Sequence, residues 1–523
     1  MSDGLLSGGR RSWSESLAAL SHPRVVTMLF LGFSAGIPIL LIFGTLSLWL
    51  REAGFERTTI TFFSWAALGY AFKFVWAPLV DKIPLPGLTA RLGRRRAWML
   101  TAQVAVATAI VAMAMNDPQV SPTITALCAV GLGFSAATQD IVIDAYRIES
   151  APRDLQAMMS STYMAGYRIA MLMAGAGVLY LASIFGGDDG TYVYRGWMVA
   201  YVAMAACMAV GMATTLVIAE PEVARRDDTA FADPRANLRF VGVFLAAAGA
   251  FAGGFVITAA PINTVKTVLA AAMDPVLAGF IGEVLHLGFA IALAGGVAWG
   301  LVALGAAPKR MLVEGYVEPL ADFVRRHGRQ AFLILALIAL YRIADVVMGV
   351  IANVFYSDLG FGKEEIALYS KTYGLFSTIA GGFIGGVLAM RYGVTRILFA
   401  GGVLAGASNL LFAFVATQAA DAQLLMAVIV ADNISAGIAS AAFVAYLSGL
   451  TSVSFTAMQY ALYTSLMTLA PKLIAGYSGS MVDALGYPTF FTLTALMGLP
   501  VLVLIAWIAQ AAPAGQAAPR AAE

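Results

Sequence analysis

Long apolar runs separated by short polar turns fill almost the whole chain. A bilayer core of about 30 Å is crossed by about 20 helical residues. On that measure the runs predict spans near 25–50, 60–80, 97–116, 122–147, 157–184 and 197–219. A second set falls near 331–356, 366–390, 395–416, 422–449, 457–484 and 489–511, and two further runs lie between the sets, near 239–259 and 276–305. The pattern predicts an all-α integral membrane protein of about 14 spans, arranged six, two, six. In chain order the expected parts are a cytoplasmic N-terminal segment 1–24, a six-helix bundle 25–220, cytoplasmic linkers with two extra transmembrane helices 221–330, a second six-helix bundle 331–511 and a tail 512–523. The tail is rich in Pro and Ala and too poor in apolar bulk to order itself. The first run, from Val25 to Leu50, is longer than a signal-peptide core and no small-residue cleavage site follows it, so it is expected to stay attached.

Nine ionisable residues interrupt the apolar runs: Lys73, Asp140, Asp144, Arg168, Arg342, Asp345, Lys371, Asp432 and Lys472. Each is costly at membrane depth unless it is paired or lines a wet cavity, so together they point to a polar route through the protein. Asp140 and Asp144 are four residues apart and share one helix face, about 6 Å from one another. Two carboxylates that close in a low dielectric cannot both stay ionised cheaply, which makes them candidates for proton coupling. Asp144 has a second reading, as a latch paired with a basic loop residue. Arg168 lies as deep as Asp140 on an oppositely directed span, and an Asp140–Arg168 ion pair is expected. Lys73 is either a deep cation or one that snorkels to the near interface.

In the second half Arg342 and Asp345 are three apart and can pair within their own helix. Lys371, Asp432 and Lys472 have no partner at helical spacing, so each must find one across a cavity or on a substrate. Asn433 and Gln459 add amides suited to a sugar or a peptide. The deep set counts five cations against four acids, which predicts an electropositive cavity and a carboxylated substrate. Glu283 and His286, three apart in the second extra run, read as a structural pair.

Composition narrows the class. The chain has 523 residues, 60% of them hydrophobic and 12% charged, with a mean hydropathy of +0.81. That is too apolar to build a soluble shell. A formal net charge of +2 gives no reason to expect a nucleic-acid partner. Of the 32 Lys and Arg residues, 22 fall in alternate turns beginning with the N-terminus, 5 in the opposite turns and 5 inside spans, which places both termini in the cytoplasm. Two cysteines and three scattered histidines offer no disulfide framework and no metal site. With no phosphate-binding loop and no nucleophile elbow, neither ATP-driven transport by this chain nor an enzyme is expected. No cofactor is expected beyond protons as the coupling ion. The expected partners are the lipid bilayer and the substrate, with the protein a monomer.

The two six-helix sets carry similar turns after their second spans. The first reads Ala77-Pro-Leu-Val-Asp81-Lys and closes with Gly93-Arg94-Arg95-Arg96; the second reads Gly386-Val-Leu-Ala-Met-Arg391-Tyr-Gly393-Val-Thr-Arg396. Asp81, Arg94, Arg95, Arg96, Arg391 and Arg396 are therefore candidate gating residues. Such parallel repeats resemble the major facilitator superfamily, whose halves rock around a midplane site.

A narrower resemblance rests on Gly32-Phe-Ser-Ala-Gly-Ile-Pro, Phe72-Lys73-Phe-Val-Trp76-Ala-Pro78-Leu-Val-Asp81, Ser135-Ala-Ala-Thr-Gln139-Asp140-Ile-Val-Ile-Asp144-Ala and Gly166-Tyr167-Arg168. In the second half it rests on Leu340-Tyr341-Arg342-Ile-Ala-Asp345, Lys371-Thr-Tyr-Gly374-Leu, Ala441-Ala-Phe-Val-Ala-Tyr446 and Ala457-Met-Gln459-Tyr-Ala-Leu462. These stretches are similar to the AmpG muropeptide permease family over roughly 25–220 and 325–510. The resemblance implies proton-driven import of anhydro-muropeptides across a Gram-negative inner membrane, for peptidoglycan recycling, with an indirect role in β-lactamase induction. It implies that Asp140 and Asp144 are essential to transport. It also implies that Lys73, Arg168, Arg342, Asp345 and Lys371 surround a central cavity. Gln139, Tyr167, Asp432, Asn433, Gln459 and Lys472 are further candidates for substrate binding or the cavity. The chain departs from the family's best-known members by inserting its two extra spans between the halves, and by carrying Asp432-Asn433 where they carry Glu-Asn. Two alternatives stand beside this reading. One is a carrier of the same fold for another anionic sugar, peptide or acyl-coenzyme A; the other is a membrane sensor of muropeptides that transports nothing.

Overall fold

Proline, glycine and the absence of water decide where this chain is regular. In hydrocarbon every backbone N–H and C=O needs a partner within its own segment, so helix is the economical choice for each apolar run. The computed structural model describes residues 12–56, 68–186, 192–223, 231 and 233–511, and no strand occurs among them. Twelve helices among the described residues are long and apolar enough to cross a membrane. Two of the fourteen expected spans are missing from that number. The one near 60–80 falls partly on residues 57–67, outside the described residues, and the one near 457–484 is broken.

The first bundle contains α1 (Pro23–Ile42), α2 (Gly44–Glu52), α3 (Leu68–Phe72), α4 (Ala77–Lys82), α5 (Arg94–Ala114), α6 (Pro122–Ser150), α7 (Gln156–Leu172), α8 (Val178–Gly186) and α9 (Tyr194–Val217). The second expected span is not one helix. A 3₁₀ turn over Lys73–Val75 separates α3 from α4, because Pro78 has no N–H to give and its ring crowds the carbonyl of Phe74. The break sets Lys73 at an elbow rather than on a continuous helix face.

In chain order α10 (Pro234–Ala270) and α11 (Pro275–Ala303) follow, then the short amphipathic α12 (Glu318–His327). The second bundle comprises α13 (Ala331–Leu340), α14 (Ile343–Asp358), α15 (Gly374–Tyr392), α16 (Val394–Val415), α17 (Ala422–Leu450), α18 (Thr456–Ala475), α19 (Ser478–Leu485), α20 (Tyr487–Met497) and α21 (Leu499–Ala511). Its first span is also interrupted, and Arg342 sits at the restart as the N-cap of α14. The span near 457–484 breaks between α18 and α19 at Gly476-Tyr477, one turn after Pro471.

The chain separates into two compact units. One holds residues 1–77, 84–223 and 329–523, and so contains both bundles apart from residues 78–82 of α4; the other holds 78–83 and 224–328. In the second unit α10 and α11 pair along their length. Lys266 Nζ lies 2.5 Å from Glu283 Oε1. His286 stacks on the ring of Phe255 at 3.9 Å and its Nε2 meets the Phe255 carbonyl at 2.8 Å. Glu283 and His286, 3.8 Å apart, thus belong to the contacts that hold this helical hairpin together.

The repeat read from the two basic turns has a backbone counterpart. Gly93 (φ +86°) opens α5 and Gly393 (φ +94°) opens α16, both in a region that favours glycine. Close helix approach then places the site. A Cβ at Gly32 of α1 would fall 2.0 Å from the carbonyl oxygen of Tyr163, and one at Gly166 of α7 would fall 1.9 Å from that of Leu29. Hydrogen in place of a side chain lets α1 and α7 touch backbone to backbone, which fixes the rotation of α7 and the direction of Tyr163, Tyr167 and Arg168.

Candidate functional site

Two polar groupings occupy the unit that holds both bundles. The first forms around the α6 acids. Asp144 Oδ2 lies 3.6 Å from Lys73 Nζ, and Asp144 Oδ1 lies 3.4 Å from Arg147 Nη2. Lys73 and Arg147 are buried, so the shared carboxylate neutralises charges that have little water to turn to. Arg147 Nη1 donates to Gln156 Oε1 and to Ser448 Oγ, each at 2.9 Å, and its guanidinium stands 5.2 Å from the ring centroid of Tyr460. Gln156 Nε2 in turn donates to the carbonyls of Arg147 and Ala151 at 3.0 Å. Since Ser448 is on α17 and Tyr460 on α18, this cluster ties the two halves together. Nearby, Ser161 Oγ of α7 donates to the Gly382 carbonyl of α15 at 2.6 Å.

Asp140 stands apart from these ion pairs. It accepts a hydrogen bond from Tyr163 Oη at 3.4 Å, and the expected Asp140–Arg168 ion pair does not form. Helix geometry gives the reason. Tyr163 and Arg168 are five residues apart, about 140° around α7 at 100° per residue. With Tyr163 turned to α6, Arg168 faces the other bundle.

Arg168 instead lines the second grouping, a cavity of about 290 Å³. Ser160, Ser161 and Arg168 of the first bundle meet Arg342, Asp345, Asn353, Thr378, Asp432 and Asn433 of the second across it. Arg342 Nη2 lies 3.8 Å from Asp345 Oδ2, the pair that their spacing allowed. Asp432 Oδ1 accepts from Ser408 Oγ at 2.8 Å. Asn433 accepts from Thr378 Oγ1 at 2.7 Å and donates to the Ile429 carbonyl at 2.8 Å. Arg168 Nε is buried without a hydrogen-bond partner. Two guanidinium groups thus meet two carboxyl groups, and the expected excess of cations is absent among the described residues. Lys371 belongs to a π-helical turn, Ala367–Tyr373, whose Ser370 reaches the cavity; its side chain lies outside the described residues.

Other expected cavity residues are elsewhere. Lys73 is held by Asp144. Gln139 is buried within the first bundle, where its Nε2 donates to Ser34 Oγ at 3.1 Å. Tyr167 packs its backbone against Gly36 and its ring lies 6.1 Å from that of Tyr163. Gln459 is a buried brace, its Oε1 accepting from the Ser452 N–H at 2.7 Å in the turn before α18. That N–H needs a partner after α17 ends, and the amide satisfies it. Lys472, in the last turn of α18, is exposed and is not part of the cavity lining.

The basic turn of the first half is a clamp within its own bundle. Arg95 donates from Nε and Nη2 to Glu149 at 3.0 and 2.6 Å, with both side chains buried. The Glu220 carboxylate accepts from the Arg95 and Arg96 N–H groups at 2.8 and 3.0 Å, capping the positive end of α5. Arg96 reaches the Thr215 and Leu216 carbonyls at 2.9 and 2.6 Å, at the end of α9. Arg94 starts α5 beside them. Asp81 is buried in the other unit. In the second half Arg391 sits in the last turn of α15 and Arg396 is exposed at the start of α16.

Reading the sequence missed Tyr163, Gln156, Ser408, Ser448 and Tyr460. Only the Asp144–Arg147 contact had a local signal, the three-residue spacing. The others join residues on different helices.

Residues 331–523 match the family described as Major Facilitator Superfamily, and residues 24–185 match the family described as Acetyl-coenzyme A transporter 1. The fold is similar to that of the E. coli fucose:proton symporter FucP, with a TM-score of 0.60 at 12% identity, covering 95% of this chain and 99% of that one. It is also similar to the proton:xylose symporter XylE bound to 6-bromo-6-deoxy-D-glucose, with a TM-score of 0.56 at 11% identity, covering 95% and 96%. This chain has the fold of the major facilitator superfamily. Its relatives include the putative transporter AmpG 4 of Rickettsia felis, 28% identical over 485 residues that cover 93% of this chain and 96% of that protein. The anhydromuropeptide permease of Escherichia coli K12 is 29% identical over 493 residues, covering 94% of this chain and 81% of that protein. The resemblance carried by the sequence motifs therefore extends along nearly the whole transporter.

Proposed function

We propose that this transporter imports GlcNAc-anhydroMurNAc-peptides from periplasm to cytoplasm together with protons, across a bacterial inner membrane, with both termini cytoplasmic. Peptidoglycan recycling, and through it β-lactamase induction, is the setting that the motif resemblance implies, and an E. coli relative is named an anhydromuropeptide permease. The observation that carries the reading is the separation of the two α6 acids. Asp144 is held by Lys73 and Arg147, whereas Asp140 has a tyrosine hydroxyl and, among the described residues, no cation within ion-pair distance, Lys73 acting on it only from further away. A carboxyl group of the second kind can take up and release a proton without breaking an ion pair, as a proton-coupled carrier requires. The two solved relatives in fold are both proton symporters by description.

Purified protein in proteoliposomes, given labelled GlcNAc-anhydroMurNAc-peptide and an inward proton gradient, is expected to accumulate label, and a protonophore is expected to abolish the accumulation. Equal uptake with and without the gradient would end the coupling claim. The match of residues 24–185 to the acetyl-coenzyme A transporter family favours a second reading, an acyl-coenzyme A carrier. Competition by acetyl-coenzyme A against that uptake, or its own accumulation, decides between them.

A further inference from the structure

Among the described residues the cavity is lined by four charged side chains, and they do not form two ion pairs. Arg342 and Asp345 face each other at 3.8 Å, within their own helix turn. Arg168 and Asp432 remain. Among the described residues Arg168 has no carboxylate partner and its Nε is buried without a hydrogen bond, while Asp432 has a neutral hydroxyl, Ser408, as its partner at 2.8 Å. The two come from different halves, α7 and α17, yet line one cavity. An unpaired guanidinium and an unpaired carboxylate in a partly desolvated pocket are each unfavourable alone. One ligand that carries a carboxylate and an ammonium group would complete both.

We infer that the cavity is matched to a zwitterion, with Arg168 receiving a carboxylate of the substrate and Asp432 its ammonium group. The planar guanidinium suits the two oxygens of a carboxylate. Asn433, fixed by Thr378 and the Ile429 carbonyl, stands next to Asp432 and offers an amide to a neighbouring peptide bond. Asn353 supplies a second amide. The inference rests on the reading of the substrate as a sugar-peptide. It assigns recognition in this cavity to the peptide's charged end, and it makes closure depend on the ligand, because the substrate joins a residue of one half to a residue of the other.

The test uses three versions of the labelled muropeptide: one with a free amine and a free carboxylate on its peptide, one with the amine acetylated and one with the carboxylate amidated. In competition for uptake each blocked version is expected to be about tenfold weaker than the parent, the loss of roughly one charge-assisted contact. In Asp432→Asn acetylation should no longer matter, and in Arg168→Gln amidation should no longer matter. Asp432→Glu and Arg168→Lys are expected to restore part of the discrimination, which separates recognition from folding. Equal competition by all three versions in the unmodified protein, or unchanged discrimination in the two neutral variants, overturns the inference. A parallel thermal-shift titration in detergent uses a free zwitterionic dipeptide and its two blocked forms. Stabilisation by the zwitterion alone, lost in both neutral variants, upholds the inference even where no muropeptide is accumulated and the transport reading falls. If the dipeptide forms bind alike or not at all and uptake shows no discrimination, the inference is overturned whatever the transport result.

Discussion

Arg147 donates one hydrogen bond to Gln156 in its own half and another, also 2.9 Å long, to Ser448, 301 residues further along the chain. The same guanidinium pairs with Asp144 and lies over Tyr460. One side chain therefore joins the acid region of α6 to two helices of the opposite bundle. In an alternating-access carrier a contact of this kind must break when that end opens, so its strength sets the balance between the two states.

Arg147→Ala is expected to strand Asp144 and Gln156 without a shared partner and to free α17 and α18 from α6. The expected result is a lower melting temperature in detergent, together with faster labelling of a cysteine placed at Ala151. Ser448→Ala removes one contact and should shift the labelling rate by a smaller factor, corresponding to about 1 kcal/mol. Identical labelling in all three proteins would show that the contact does not hold this end closed.

Asp140→Asn and Asp144→Asn should separate coupling from stability. Asparagine at 140 replaces a carboxylate held by one long hydrogen bond, so the protein is expected to fold and to exchange substrate across the membrane at near-normal rate. Accumulation driven by a proton gradient is expected to be lost, and the dependence of uptake on external pH to flatten. Asparagine at 144 leaves Lys73 and Arg147 buried without their counter-ion, at a cost of about 3–5 kcal/mol. Its main signature should be a lower melting temperature and yield. A gradient-driven Asp140→Asn carrier indistinguishable from the parent would remove Asp140 from the coupling mechanism.

Glycines at the α1–α7 contact should tolerate no side chain. Gly32→Ala and Gly166→Ala each place a methyl group about 2 Å from a backbone oxygen, and neither backbone can move without turning α7. A loss of about 1–3 kcal/mol or more is expected, with substrate uptake falling as Arg168 is displaced. Gly131→Ala on α6 has nothing within 4 Å of the new methyl group and should be neutral or slightly stabilising. Melting temperatures of the three variants, read side by side, check the expectation.

Glu149→Ala is expected to cost about 3–5 kcal/mol, since it leaves the buried guanidinium of Arg95 without its two-point carboxylate partner. Glu220→Ala removes the cap on the first N–H groups of α5 and should cost about 1 kcal/mol. Denaturant or thermal unfolding of the purified variants gives both numbers. The reverse order would mean that the basic turn is held by the cap rather than by the buried pair.

Hydrophobic runs, turn chemistry and charge placement were enough to read the class of this protein. The apolar runs determined all-helical spans, and the two Gly-then-basic turns determined a repeat, because those signals act within a few residues of one another. The Arg342–Asp345 and Asp144–Arg147 contacts were legible for the same reason: a three-residue spacing puts both side chains on one helix face. Pro78 could have been read as the break that places Lys73 at an elbow. Rotation of one helix against another was not legible. Depth alone suggested that Arg168 would meet Asp140, but depth leaves the angle around α7 free. Gly32 and Gly166 fix that angle by letting α1 and α7 touch, which turns Tyr163 to Asp140 and Arg168 to the cavity. The tertiary structure likewise decided that Gln459 braces the turn before its own helix, that Lys472 is exposed and that Arg147 reaches Ser448. The last of these joins helices 301 residues apart, and no periodicity within one segment carries the direction in which another segment packs.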